Sequence, residues 1–303
     1  MARARAAPEH SLQMEPLSCI LLLVERGDRV HEGLNKALLV ARHFQARLEL
    51  FLCDTERYGP FWPGNAAALA RTHASCVAEG LDYLQALRKT IVAPDIAIAT
   101  EAVCDHSLQD GVTAKLKRTP IDLIVKAAEA SRRDTRVRGA ADWAAVAMCA
   151  APLLLTRGRP WRPIPRFAAV IPPRELGARD FEPTTADMGE TLAAGCGAQL
   201  DLLVTDPAPT EVAEADALLE AQRHYRAARR TSRGRMRCVR DAPAEVLTEF
   251  IAEHDYDLVV LGKPPLGRQL VLSSLAGRVL STTAGDVVLM HRPPPMAAAA
   301  QSP

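Results

Sequence analysis

At 303 residues the chain has the length of about two ordinary domains. Hydrophobic residues at 48% and charged residues at 24% match soluble globular protein, and a formal net charge of +1 excludes a global attraction to nucleic acid or to an anionic membrane. No apolar run reaches the roughly 18 residues of a membrane helix, and the first residues lack the apolar centre of a secretory signal, so a cytoplasmic protein with no membrane span is expected.

In chain order, Cys19–Val24 reads as a first strand. The segment His31–Phe44 places Leu34, Ala37, Leu38, Ala41 and Phe44 on one helical face. A second strand follows at Leu48–Leu52, then a turn-rich loop at Tyr58–Gly64, then a long helix with Leu69, Cys76, Val77, Leu84 and Leu87 on a face. Ile96–Val103, Ser107–Arg118, Leu123–Val125, Ala140–Cys149 and Leu153–Leu155 continue the alternation as strand, helix, strand, helix and strand. Alternating strands and helices of this kind predict parallel β/α units.

The same series then begins again. Phe167–Ile171, Thr184–Gly195, Gln199–Val204, Ala213–Arg230, Met236–Val239, Ala244–His254, Leu258–Leu261, a helix near Leu270–Thr282 and Val287–Met290 repeat it, with Val246, Leu247, Phe250 and Ile251 as the apolar stripe of the third helix. Asp122-Leu-Ile-Val recurs as Asp257-Leu-Val-Val at an offset of 135 residues, which also pairs Leu153-Leu154 with Val288-Leu289 without a gap. The chain therefore reads as two α/β domains, each a doubly wound five-stranded parallel sheet, at residues 18–156 and 166–291. Between them the proline-rich stretch 157–165 is the linker, since its prolines disfavour helix and sheet interiors. Segments 1–15 and 293–303 offer little to bury and are expected to be disordered.

Seven widely spaced cysteines, without a C-x-x-C pair or metal-ligand spacing, read as reduced thiols. In Cys104-Asp105-His106 a turn is the safer reading than a catalytic pair. An open parallel sheet binds ligands beyond the carboxyl ends of its strands where strand order reverses, so the loops after the first and fourth strands of each copy carry the information. In the second copy Gly262, Lys263, Gly267, Ser273 and Ser274 follow the fourth strand. Backbone N–H groups among small residues, with a lysine and two hydroxyls, suit a phosphate; Gly and Pro also simply end strands, and serines cap helices. Both readings stay open at the level of the residues. The first copy carries Ala127 where the second has Gly262, and Glu129 and an arginine cluster (Arg132, Arg133, Arg136, Arg138) instead of a cradle.

Two such units, with "DLVVLG", "SSLAGRVL" and "DVVLMH" in the second and "DLIVKAA", "AADW" and "CAAPLLLT" in the first, resemble the universal stress protein family in its tandem, E-type form. The resemblance implies the fold, and it implies ATP as the one cofactor to consider; otherwise none is expected. Family members that bind ATP have an acid after the first strand and a G-x2-G-x9-G-(S/T) loop after the fourth. Here Glu25 lies at the acid's place in the first copy, which lacks the glycine loop. In the second copy Gly262 matches the first glycine, Pro265 replaces the second, Ser273-Ser274 resembles the end of the motif after a short deletion, and Pro172 replaces the acid.

The reading that follows is a non-enzymatic tandem protein of stress response, a sensing or interaction scaffold with degenerate nucleotide sites. Its two domains pack as an intrachain pseudo-dimer with 153–155 and 287–290 at the contact, and the chain is free to form a homodimer. The alternative is an ATP-binding protein whose working site is Gly262, Lys263, Gly267, Ser273 and Ser274 in the second domain. An unknown protein partner and a small apolar ligand lined by Tyr58–Gly64 are further expectations, and no nucleophile or metal motif supports an enzyme.

Overall fold

The structure is a computed structural model and describes residues 16–26, 30–55, 66–128, 149, 151–171, 184–206, 235–240, 244–262 and 275–290. The first copy contains β1 (Cys19–Leu23), α1 (Val30–Phe44), β2 (Arg47–Asp54), α2 (Ala66–Thr90), β3 (Ile98–Cys104), α3 (Leu108–Arg118), β4 (Leu123–Ala127) and β5 (Leu153–Thr156). The second contains β6 (Arg166–Ile171), α4 (Thr185–Cys196), β7 (Gln199–Asp206), β8 (Arg235–Arg240), α5 (Ala244–His254), β9 (Leu258–Leu261), α6 (Leu275–Thr282) and β10 (Asp286–Leu289).

The ten strands form one sheet in the order β3-β2-β1-β4-β5-β10-β9-β6-β7-β8. Read from either edge inward, the two halves have the same order, third, second, first, fourth, fifth. Within each half the described pairings are parallel, and the halves meet where β10 runs antiparallel to β5, with Leu154 opposite Val288. Segments 153–155 and 287–290, placed at the contact on sequence grounds, supply these two strands.

Inner strands are covered on both faces, which explains why they read as continuous apolar runs rather than alternating ones. All five residues of β1 and all four of β5, β9 and β10 are buried. One core layer packs α1, α2 and α4 on Leu22, Leu50, Val125, Leu154, Val260 and Val288. The other packs α3, α5 and α6 on Leu21, Phe51, Ile124, Leu153, Val259 and Val287. α1 and α4 touch each other across the seam, where a Cβ added at Gly195 would stand 2.3 Å from Phe44 Cζ and would displace the ring. Thr184 caps α4 in a reciprocal capping box with Asp187, and Gly197, at φ 63°, ends it.

The Asp that opens each "Asp-Leu" repeat has the same task in both copies. Asp122 accepts hydrogen bonds from Ser18 N (2.8 Å), Ser18 Oγ (2.7 Å) and Cys19 N (2.9 Å), while Asp257 accepts from Arg166 N (2.8 Å) and Arg162 N (3.4 Å). Each carboxylate thus ties the start of a fourth strand to the start of the neighbouring first strand.

The linker is a packed element as well as a connector. Asp286 accepts from Arg157 N (2.7 Å) and from Trp161 Nε1 (2.8 Å). Lys36 on α1 reaches it at 3.1 Å, donates to Arg159 O at 2.9 Å and stands 4.3 Å from the Trp161 ring centroid. Arg159 and Arg162 both pair with Asp255, whose carboxyl the Arg159 hydrogen bond holds down at about 2. Trp161 lies edge-on to Phe167, with ring centroids 5.0 Å apart.

Several sequence expectations shift. β3 runs Ile98–Cys104 rather than 96–103, and β8 runs Arg235–Arg240. Val246, assigned to the buried stripe of α5, is 42% exposed, because Leu247 and Ile251 face the sheet and 246 stands beside that face. Val40 and Lys36 are buried members of the α1 face that the apolar pattern did not include. The expected helices 140–149 and 213–230, the loop 58–64 and both termini lie outside the described residues, apart from Cys149, which is buried.

Leu154 is 1% exposed at the centre of the seam. Leu154→Arg is expected to part the two halves, giving a larger radius of gyration by small-angle scattering and a lower urea midpoint. Unchanged values of both would show that the seam does not hold the halves together.

Candidate functional site

Strand order reverses between β1 and β4 in the first copy and between β6 and β9 in the second, so the carboxyl ends of these pairs are the two candidate positions. In the first, Val24 is buried, and Glu25 and Arg26 emerge exposed. Lys126 sits on β4 between Leu23 of β1 and Leu155 of β5 in register, and is only 3% exposed. Its ammonium pairs with the Glu25 carboxylate. Arg26 turns the other way, 3.8 Å from Asp54 and over the Tyr83 ring at 5.9 Å. The N-terminal turn of α1 closes on the same place: a Cβ at Gly33 would stand 3.2 Å from Leu22 Cδ1 and 3.6 Å from Ala127 N.

The second copy differs at each of these points. β6 ends at Ile171, fully buried, and β9 ends at Leu261, 2% exposed, followed by the half-buried Gly262. Leu261 occupies on β9 the position that Lys126 occupies on β4. Met290 N donates to Leu261 O at 2.9 Å, so the end of β9 is held by the strand beside it. Of the residues singled out for a phosphate, the structure places Gly262 at the end of β9; Lys263, Gly267, Ser273 and Ser274 lie outside the described residues, as do Pro172 and Pro265. α6 begins at Leu275.

Glu25 was identified as the acid after the first strand; its partner was not. The signal was present as a lysine inside the run Leu-Ile-Val-Lys-Ala, at the place where the other copy has leucine. A lone cation inside a buried strand requires a counter-charge, and Glu25, just past the end of the adjacent strand, supplies it.

Cysteine chemistry finds little purchase. Cys19, Cys76, Cys104, Cys149 and Cys196 are buried and Cys53 half-buried, all as free thiols. Burial pushes Cys53, Cys76 and Cys196 up to about 12, which leaves almost no thiolate at neutral pH. Cys104 is buried while His106 is exposed, in keeping with a turn. Among the described residues no group of His, Cys, Asp and Glu could hold a metal ion, and no helix is long and apolar enough to cross a membrane.

Residues 188–291 match the model of the universal stress protein family, so the second copy carries a domain of that family. Similar solved structures cover both copies. A protein named as a putative universal stress protein, from Pseudomonas aeruginosa UCBPP-PA14, is 21% identical over 93% of this chain and 95% of its own, with a TM-score of 0.63. A universal stress protein from Archaeoglobus fulgidus DSM 4304 is 10% identical over 91% and 98%, with a TM-score of 0.64. A functionally unknown protein from Pseudomonas aeruginosa PAO1 is 21% identical over 92% and 94%, with a TM-score of 0.58. At these identities the likeness is one of fold. A search of the curated proteins gave no match.

The two members of the Glu25–Lys126 pair should respond unequally to mutation. Glu25→Ala strands a buried ammonium and is expected to lower stability by about 1–3 kcal/mol. Lys126→Leu, which installs the second copy's residue and leaves a carboxylate that water can reach, should be neutral or stabilising by up to about 4 kcal/mol. Urea unfolding of both variants checks this, and equal losses would contradict it.

Proposed function

We propose that this chain is a non-enzymatic universal-stress-type protein in which two domains, joined as an intrachain pseudo-dimer, form a sensing or interaction scaffold. The observation that carries this reading is the Glu25–Lys126 pair. It engages the acid at the reversal point of the first copy with a buried lysine of the adjacent strand, where the sequence after β4 offers no glycine cradle for a polyphosphate.

The second copy supports a second reading, ATP binding through Gly262, Lys263, Gly267, Ser273 and Ser274. What favours it is the position of Gly262, half-buried directly after β9 at the reversal point, where backbone can approach a ligand closely. Pro172 in place of an acid and Pro265 in place of a glycine oppose it.

Calorimetric titration of ATP into nucleotide-stripped protein, with Gly262→Asp as control, separates the readings. The scaffold reading expects no binding heat at millimolar ATP. One site per chain, lost in Gly262→Asp, would replace it with the ATP-binding reading, and two sites per chain would refute the assignment of Glu25–Lys126 as a closed position.

A further inference from the structure

Beneath the helices of each copy, toward the amino ends of the strands, lies a cluster of charges on the second and third strands. Phe167 pairs with Leu200 and Leu258 as Ile20 pairs with Leu48 and Leu123, so Asp201 on β7 stands where Glu49 stands on β2. By the same registers Arg237 on β8 stands where Glu101 stands on β3. The sign at the third strand is reversed between the copies. In the first, Lys115 of α3 lies between Glu49 and Glu101, 2.7 Å from Glu101, with Arg118 also 2.7 Å from Glu101. In the second, the strand carries the cation, and the helix answers with a histidine, His254.

Geometry specifies the state of that histidine. Its Nε2 lies 3.2 Å from Arg237 Nη1 and its Nδ1 lies 2.9 Å from the carbonyl oxygen of Phe250. A guanidinium only donates and a carbonyl only accepts. His254 therefore accepts at Nε2 and donates from Nδ1, which makes it neutral and selects the Nδ1–H tautomer. The ring has little freedom to find another arrangement, being stacked on Phe250 at 3.9 Å and roughly parallel to Tyr256 at 5.9 Å.

A proton on Nε2 has nowhere favourable to point. It would face Arg237, cation against cation. The nearby anions are already engaged: Asp201 of β7 accepts from Tyr256 OH at 2.8 Å and lies 3.0 Å from Arg237 Nε, Asp257 holds the start of β6, and Asp255 is held by Arg159 and Arg162. Arg166 of β6 adds another cation over the Tyr256 ring at 5.5 Å. Arg235 on β8 is exposed, as are Glu249 and Glu253 on the far side of α5 itself, and Arg278 of α6 pairs with Glu245 at the opposite end of that helix. The Phe250 carbonyl keeps its N–H in either state. The loss on protonation thus falls on Arg237. That residue belongs to β8, which among the described residues is an edge strand paired with β7. Its Nε, 3.0 Å from Asp201, makes no hydrogen bond, and its Nη1 meets His254 on α5.

We propose that His254 is a proton-operated latch on the β8 edge: neutral, it holds Arg237 and the strand; protonated, it repels Arg237 and the strand loosens from β7. The first copy has no such device, because there the helix contributes Lys115, a cation held between two carboxylates. Histidine is the side chain that ordinarily changes charge between pH 5 and 8.

Hydrogen exchange of the full chain tests this, with protection corrected for the chemical exchange rate at each pH. Between about pH 7.5 and about pH 5.5, protection of residues 235–240 should fall by about tenfold, the size set by losing one hydrogen bond to a charged group, while residues 98–104 of the other edge stay unchanged. His254→Gln, whose amide oxygen accepts from Arg237 at any pH, should abolish the fall. A wild type with equal protection at both pH values, or the same fall in His254→Gln, overturns the proposal. Nitrogen NMR of the wild type adds a readout that needs no variant: an Nδ1–H tautomer at about pH 7.5 is expected, and an Nε2–H tautomer overturns it.

Discussion

The buried carboxylate of Asp286 is the point on which the two halves of this molecule depend. The seam between them is short, three residue pairs of β5 and β10, and strands so short hold few ladder bonds. Asp286 adds what the ladder lacks. Its oxygens take hydrogen bonds from the backbone of Arg157, where the linker begins, and from Trp161, at its middle, and an ion pair from Lys36 on the first copy's α1. Burial raises the Asp286 pKa and lowers that of Lys36, each partner opposing the other's shift. Such a pair adds little net stability against a well-packed apolar alternative, yet removing one member leaves a stranded charge. Its value lies in specification: a β5–β10 register shifted by one residue would carry Asp286 away from Lys36, Trp161 and Arg157 together.

The two copies have kept positions and exchanged chemistries. Asp122 and Asp257 do one job with one residue type, because the start of a parallel strand pair leaves backbone N–H groups that a carboxylate can satisfy. The cluster under the third helix keeps its place and its acid on the second strand, and reverses its sign on the third. At the reversal points, one copy has a cation and an anion and the other a leucine and a glycine. Position is conserved within the chain where the fold requires a partner of some kind, and residue type is free wherever more than one partner serves.

What could be read from residues alone follows the same division. Strands announced themselves because burial on both faces makes them apolar throughout, and the offset of 135 residues between the "Asp-Leu" motifs exposed the repeat without any structural knowledge. The pairing of 153–155 with 287–290 was legible because each is an apolar run that closes its copy. Lys36 and Lys126 were not legible, since one meets Asp286 and the other Glu25 across separations that no local pattern records. Val246 was misassigned for a simpler reason: 3.6-residue spacing fixes which side of a helix is apolar, and the edge of that stripe depends on how the helix is tilted on the sheet. Of the phosphate candidates, Gly262 alone could be located, because the described chain stops after it and resumes at Leu275.

The two ends of the sheet carry different chemistry. Ligand positions in such folds sit beyond the carboxyl ends of the strands, where loop sequence decides affinity and a few substitutions abolish it. The charge clusters sit toward the amino ends, beneath the helices, where each residue is held by partners on two or three other elements and cannot change alone. The Glu25–Lys126 pair stands at the first end, and Asp201, Arg237 and His254 stand together at the second. The two places also lie in different halves of the sheet, one on β4 beside β1 and the other on β7 and β8 beneath α5, so neither shares a residue with the other.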